Sequence, residues 1–231
     1  MDGYWDSPDA QKVIDWFGKN ARSLPTFAGS AFQTLLVNAL GFINRVGYLL
    51  RPNSRKISRK NISDHYDLSN EFFSLMLDPT MAYSCASFQN PDDDLFGAQL
   101  RKFEIIASKL QLGEENHLLE IGSGWGGFAV FAAKNYGCRV TTVTISKEQY
   151  EFASDLIARE GLQNRIDLQL RDYRDIEGTY DRIVSIEMVE ALGIQYLDVF
   201  FEKCGKLLEE DGIMLIQCIT FPDPWYERYL K

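Results

Sequence analysis

The apolar positions of this chain change period along its length. From Lys102 onward, short apolar runs recur: HLLEI (117–121), CRVTTVTI (138–145), IDLQL (166–170), YDRIVSI (180–186) and GIMLIQCI (212–219). Their brevity and β-branched content predict five strands. Between them lie FAVFAAKNY (128–136), KEQYEFASDLIAREG (147–161) and QYLDVFFEKCGKLLEEDG (195–212), apolar at helical spacing, with glycine near their ends. Strands alternating with helices predict βαβ units, hence a parallel sheet with right-handed crossovers. Residues 1–100 break this rhythm and read as helices and loops. The expected organisation is a helical cap over 1–100 and an α/β domain over 101–231, with no internal repeat, and 231 residues suffice for one large domain with an appendage.

Composition changes this picture little, because 45% hydrophobic and 25% charged residues are ordinary for a globular chain. Charge adds more. A net charge of −9 argues against a nucleic-acid partner. The distribution is uneven: residues 1–70 hold nine Lys/Arg against six Asp, and the remainder fifteen Lys/Arg against 27 Asp/Glu. Arg45, Arg51, Arg55, Lys56, Arg59 and Lys60 form a basic run that reads either as a solvated face or as a surface for anionic lipid headgroups.

Residues 23–44 carry no charge, but Pro25, Gln33, Asn38, Gly41 and Asn44 interrupt them, which disfavours a membrane span. A core helix or an interfacial amphipathic helix fits better. Cys85, Cys138, Cys204 and Cys218 are widely spaced, and with only His65 and His117 beside them neither a zinc site nor a disulfide framework is expected. This cysteine usage fits a reducing cytosol, so a cytoplasmic location is expected; the acidic start MDGYWDSPD lacks the basic and apolar regions of a signal peptide.

The first expected strand runs into Glu120-Ile121-Gly122-Ser123-Gly124-Trp125-Gly126-Gly127 and then a helix. Such a loop lets the backbone approach a ligand closely at a helix N-terminus. Gly122, Gly124 and Gly127 satisfy the dinucleotide fingerprint, yet the acid expected about 20 residues on would fall within 141–146, which holds no carboxylate. Glu120 instead suits a cofactor with a cationic end, an amino group or a sulfonium. The plainer alternative is a turn whose glycines serve packing alone. Asp172-Tyr173 could border an adenine or form an ordinary polar turn.

Several ordered motifs carry a resemblance. His65-Tyr66-Asp67-Leu68-Ser69-Asn70-Glu71-Phe72-Phe73, then Leu77-Asp78-Pro79-Thr80-Met81-Ala82-Tyr83-Ser84-Cys85-Ala86, the glycine loop, TISKEQ, RDYRDI, DRIVSIEMVEALG and DGIMLIQCIT resemble the cyclopropane-fatty-acyl-phospholipid and mycolic acid cyclopropane synthases. The resemblance implies a class I methyltransferase fold, Rossmann-like, with five strands present behind an N-terminal helical cap. It also implies an S-adenosylmethionine cofactor and methylene transfer to the double bond of an unsaturated phospholipid acyl chain at a membrane surface. A homodimer is a further possible partner arrangement.

Carried over by position, Tyr83 and Ser84 would cover the methionine end of the cofactor, with Gly122, Gly124 and Gly126 beneath it. Thr144 and Gln149 would stand near the ribose, and Asp172 and Tyr173 beside the adenine. Family members bind a bicarbonate ion as base, for which Cys85, Glu190, Gln217 and the backbone at Ile219 would be the ligands. Taken alone, Glu190 could be a helix-dipole partner and Cys85 a small core residue.

Three departures stand out. Gln217 replaces a frequent histidine, and can donate a hydrogen bond to an anion but not carry charge. The chain stops after the fifth strand, at Trp225–Lys231, where relatives add strands, a lid and a tyrosine. The start, Met1-Asp2-Gly3-Tyr4-Trp5, resembles an internal segment of longer relatives, so truncation at both ends is expected. Other readings are a methyltransferase for another lipid or small molecule, and an inactive cofactor- or lipid-binding remnant.

Overall fold

A computed structural model describes residues 8–20 and 70–220. The chain divides into two compact units, 1–52 and 53–231. In the first, the described segment is helix α1 (Ala10–Asn20), whose Ile14 and Trp16 are exposed. The uncharged stretch 23–44, the basic run 45–60 and the tail 221–231 lie outside the described residues.

The second unit begins its described part with α2 (Asn70–Met76) and α3 (Leu95–Leu110). The boundary expected at 100/101 falls inside α3. That helix starts where Asp94 accepts a hydrogen bond from Gly97 N–H at 2.6 Å and ends at Gln111 in the left-handed region. Its inner face, with Phe103, Ile106, Ala107 and Leu110, is buried against the sheet, so it is part of the α/β core.

The rest alternates as expected: β1 (His117–Ile121), α4 (Gly127–Tyr136), β2 (Arg139–Thr144), α5 (Lys147–Arg159), β3 (Ile166–Leu170), β4 (Tyr180–Ile186), α6 (Leu197–Leu207) and β5 (Leu208–Gln217). The five strands form one parallel sheet in the order β3-β2-β1-β4-β5. Side-chain alternation splits the core into two layers. Leu118, Val140 and Val184 pack with α3, α4 and Ile157 of α5, while Leu119, Ile121, Val143 and Ile183 pack with Phe200, Cys204 and Leu207 of α6.

The last helix and strand correct the sequence reading. The expected helix 195–212 stops at Leu207, and β5 starts four residues earlier than expected. Leu208 pairs with Tyr180, the register then shifts, and regular pairing resumes at Ile213 opposite Arg182. Glu209, Glu210 and Asp211 stay exposed in this irregular stretch, so pairing with β4 overrides the helical propensity of LLEED.

The strand order reverses between β1 and β4. In parallel α/β sheets, ligands bind at such a switch point, outside the carboxyl ends of the strands. Here those ends carry Gly122 after β1 and Glu187 after β4.

Candidate active site

A cavity of about 900 Å³ lies at this switch point. That is near the upper end of small-molecule sites, which span about 300–1,000 Å³. It has two sides, built differently.

On the first side, strand ends present short, buried side chains. Glu120 is 2% exposed and accepts a hydrogen bond from Thr142 Oγ1 at 2.5 Å. Burial pushes its carboxyl up to about 8, against the opposing effect of the Thr142 bond. Beside it, Gly122 takes a φ of +98°, and a Cβ there would meet Met188 at 3.0 Å. At the end of β2, Thr144 Oγ1 donates to Gln149 Oε1 at 2.8 Å and accepts from Ser146 N–H at 3.1 Å. Ser146 in turn caps α5 through Gln149 N–H. Asp172 and Tyr173 also line the cavity, but Arg174 binds both carboxylate oxygens of Asp172, and Tyr173 packs edge-on against Phe200.

Two expected loop residues serve packing. Gly126 is not among the lining residues; a Cβ there would come within 3.1 Å of Ala153 Cβ, so this glycine lets α4 and α5 approach. Gly127 lines the cavity, yet a Cβ on it would overlap the Thr80 carbonyl oxygen. Close contact with the 78–81 turn therefore requires glycine. Trp125 anchors the same contact by donating to Asn70 Oδ1 at 2.8 Å and packing on Phe73.

The second side is assembled from distant segments. Gln99 of α3 donates from Nε2 to the Ala82 and Ser84 carbonyls, at 3.3 and 2.9 Å. Lys102, 4% exposed, donates to Ser84 Oγ at 2.6 Å. Burial lowers its ammonium to about 8, opposed chiefly by the nearby Glu187 carboxylate. Neither α3 residue was singled out in the sequence; the available signal was a lysine on the apolar face of a helix. Together they fix the segment bearing Tyr83, Ser84 and Cys85. Tyr83 and Ser84 line the cavity, with Tyr83 half exposed against Phe73; Cys85 does not line it.

Glu187 likewise carries no distinguishing signal in the sequence. It follows β4 with φ +48°, where a non-glycine residue is uncommon, and it lines the cavity. Its Oε1 accepts from Cys85 N–H at 2.8 Å and from Gln217 Nε2 at 2.8 Å. Gln217 also donates to the Cys85 carbonyl at 3.2 Å. Glu190 lines the cavity too, and its Oε1 accepts from Ile219 N–H at 2.6 Å. The four residues expected around a bicarbonate ion are thus brought together. Their donors, however, are taken by the chain's own carboxylates, so these residues do not fit a separate anion.

The first side does fit a cofactor with a cationic end. A buried carboxyl with a single hydrogen-bond partner and a backbone turned to admit a ligand both serve such a group. On the other side, Gln99 Oε1 is a buried acceptor without a hydrogen-bond partner, on a residue that lines the cavity. Among the described residues no cluster of His, Cys, Asp or Glu could hold a metal ion.

Comparison with known proteins places the chain among methyltransferases. The cyclopropane-fatty-acyl-phospholipid synthase of Escherichia coli K12 is 42% identical over 173 residues, covering 72% of this chain and 44% of its own. The tuberculostearic acid methyltransferase of Mycobacterium tuberculosis is 33% identical over 237 aligned positions, covering 94% of this chain and 55% of its own. Among solved structures, a mycolic acid cyclopropane synthase complexed with SAH and CTAB superposes with a TM-score of 0.69 at 37% identity, covering 74% of this chain and 60% of that one. The α/β fold is thus the class I methyltransferase fold. The chain spans about half the length of these two curated relatives. The profile of mycolic acid cyclopropane synthetase matches residues 53–228, and the chain belongs to that family.

Proposed function

We propose that this chain transfers a one-carbon unit from S-adenosylmethionine to the double bond of an unsaturated phospholipid acyl chain, giving a cyclopropane. The observation that carries this is the single cavity in which the Glu120–Gln149 side and the Ser84–Glu187–Glu190 side face one space. Glu120, Gly122, Gly124, Thr144 and Gln149 would hold the cofactor, with Tyr83 and Ser84 over its amino-acid end. When bound, this cofactor supplies an electrophilic methyl group on a sulfonium.

The chain's own residues do the rest. An alkene is a weak nucleophile, so the walls must hold it at near-attack distance, about 3–3.5 Å. Leu77, Met81, Leu95, Phe103 and Phe128 provide an apolar lining suited to an acyl chain and able to exclude water from a carbocation. No side chain of the described lining is a cysteine or histidine that would trap such a cation.

Access to lipid is proposed at a membrane surface, approached from the cytoplasmic side. The basic run over 45–60 supports this electrostatically. No described helix is long and apolar enough to cross a membrane. The test is to incubate the chain with labelled S-adenosylmethionine and vesicles of unsaturated phosphatidylglycerol, then analyse the acyl chains. Labelled cyclopropane is expected. Label only in a soluble acceptor would replace the lipid reading with a small-molecule one. Cofactor binding without transfer would make the chain a binding remnant.

A further inference from the structure

We propose that Glu187 is the general base of this site, a carboxylate built into the chain where the family resemblance implies a bound bicarbonate ion. This rests on the acyl methylene-transfer reading above.

The geometry is specific. An anion-binding position is defined by converging donors, and here Cys85 N–H and the Gln217 amide converge on one atom, Glu187 Oε1, both at 2.8 Å. The donors come from residues 102 and 30 positions away, so the tertiary fold builds this pocket for an anion and then fills it with a carboxylate. Ile219 N–H, the remaining backbone donor, is held by Glu190 at 2.6 Å. With Oε1 anchored twice, Oε2 takes no hydrogen bond from any described residue, and Glu187 lines the cavity. One oxygen is fixed and the other is available to receive a proton.

The backbone supports the same conclusion. Glu187 adopts φ +48° at the carboxyl end of β4, beside the switch point, and its N–H is tied to the Gln217 carbonyl at 2.8 Å. A side chain kept in a left-handed conformation needs surrounding structure to hold it there, and such positions cluster at functional sites. Gln217 fits this base better than a cation would. An amide donor orients Oε1 without forming a salt bridge that would weaken it as a proton acceptor. Lys102, which donates to Ser84 Oγ at 2.6 Å, feels the Glu187 charge but has no carboxylate within 4 Å among the described residues, so it forms no ion pair with this base.

The step balances as follows. The alkene π pair forms a bond to the transferred methyl carbon as the carbon–sulfur bond breaks, its pair leaving on sulfur, and a carbocation remains on the neighbouring chain carbon. Glu187 takes a proton from the new methyl group. The freed C–H pair closes the ring onto the cationic carbon, and the resulting carboxylic acid returns its proton to water after product leaves. No external base is consumed.

The test separates this assignment from the overall activity. Binding of [13C]bicarbonate to the full chain is followed by NMR for the wild type and Glu187→Gly, a variant suited to the backbone at φ +48°. Turnover on phosphatidylglycerol vesicles is measured in CO2-depleted buffer with and without added bicarbonate. The expected wild type shows no saturable bicarbonate binding and the same turnover in both buffers. Glu187→Gly should bind bicarbonate and regain turnover when it is added. Glu187→Gln should keep its melting temperature and cofactor affinity while losing about 10²–10⁴-fold in turnover, the usual contribution of a general base. Saturable bicarbonate binding by the wild type, or turnover that falls on CO2 depletion, would overturn the assignment of Glu187. Lipid left unlabelled by the wild type would instead overturn the methylene-transfer reading itself.

Discussion

The two sides of the cavity reach a comparable polar geometry by opposite routes. The β1–β2 side is local: Glu120, Gly122, Thr144 and Gln149 sit within 30 residues, on strand ends and caps, and all but the glycine are nearly inaccessible side chains. The β4–β5 side joins α3, the 82–85 segment, the turn after β4 and the end of β5, with hydrogen bonds spanning up to 132 residues. Its members Cys85, Glu190 and Ile219 are exposed. On the function proposed above, the first side binds and the second acts, since strain and poised donors are tolerated where rigid secondary structure holds them from below.

This contrast can be broken by substitution. On the proposed function, Glu190→Gln gives the largest expected effect outside Glu187: turnover should drop about 100-fold, with cofactor affinity unchanged within about twofold, because Glu190 lines the cavity and holds Ile219 N–H there. Equal losses in affinity and turnover would show that the two sides are not separable. Gly127→Ala should lower stability by about 1–3 kcal/mol, as its Cβ would overlap the Thr80 carbonyl. A thermal or urea melt measures this, and an unchanged midpoint would deny that the 78–81 turn is pinned to the glycine loop.

Glu120 provides a pH test of the binding side. Its folded carboxyl titrates near 8 against an ordinary 4.5, so between those values the folded ligand-free chain holds a proton that the unfolded chain has released. The stability contributed by this group is therefore full below about 4.5 and is lost as pH rises through 8. Glu120→Gln should flatten that part of the pH–stability curve. A cationic ligand group would require the ionised carboxylate, so calorimetry should find proton release on S-adenosylmethionine binding and tighter binding as pH rises from 6 to 8. The Gln variant should bind about tenfold more weakly with no proton release. The smallest effect is expected for Thr144→Val, which frees Gln149 and should cost about 1 kcal/mol in cofactor binding, with the maximum turnover rate unchanged.

The legibility of the site follows the same division. The glycine loop, the strand alternation and the Thr144–Gln149 pair are encoded by neighbours in sequence, so period and spacing reveal them. Glu187 is not legible although it stands three residues before Glu190, because nothing in SIEMVE tells which acid turns toward distant donors. Asp172 shows the reverse: its place beside the cavity was anticipated, while its ion pair with Arg174 depended on a local turn conformation.

By itself the sequence determined the parallel α/β class, the glycine-loop side of the cavity and the family resemblance, since these depend on period-2 and period-3.6 patterns and on contiguous motifs. Only the tertiary structure decided that α3 belongs to the core, that β5 begins at Leu208, and that Glu187 meets Cys85 and Gln217. The physical reason is that burial and hydrogen-bond partnership across a hundred residues are set by sheet order and crossover packing. The carboxyl ends of β4 and β5 become one surface only when the sheet closes around its switch point.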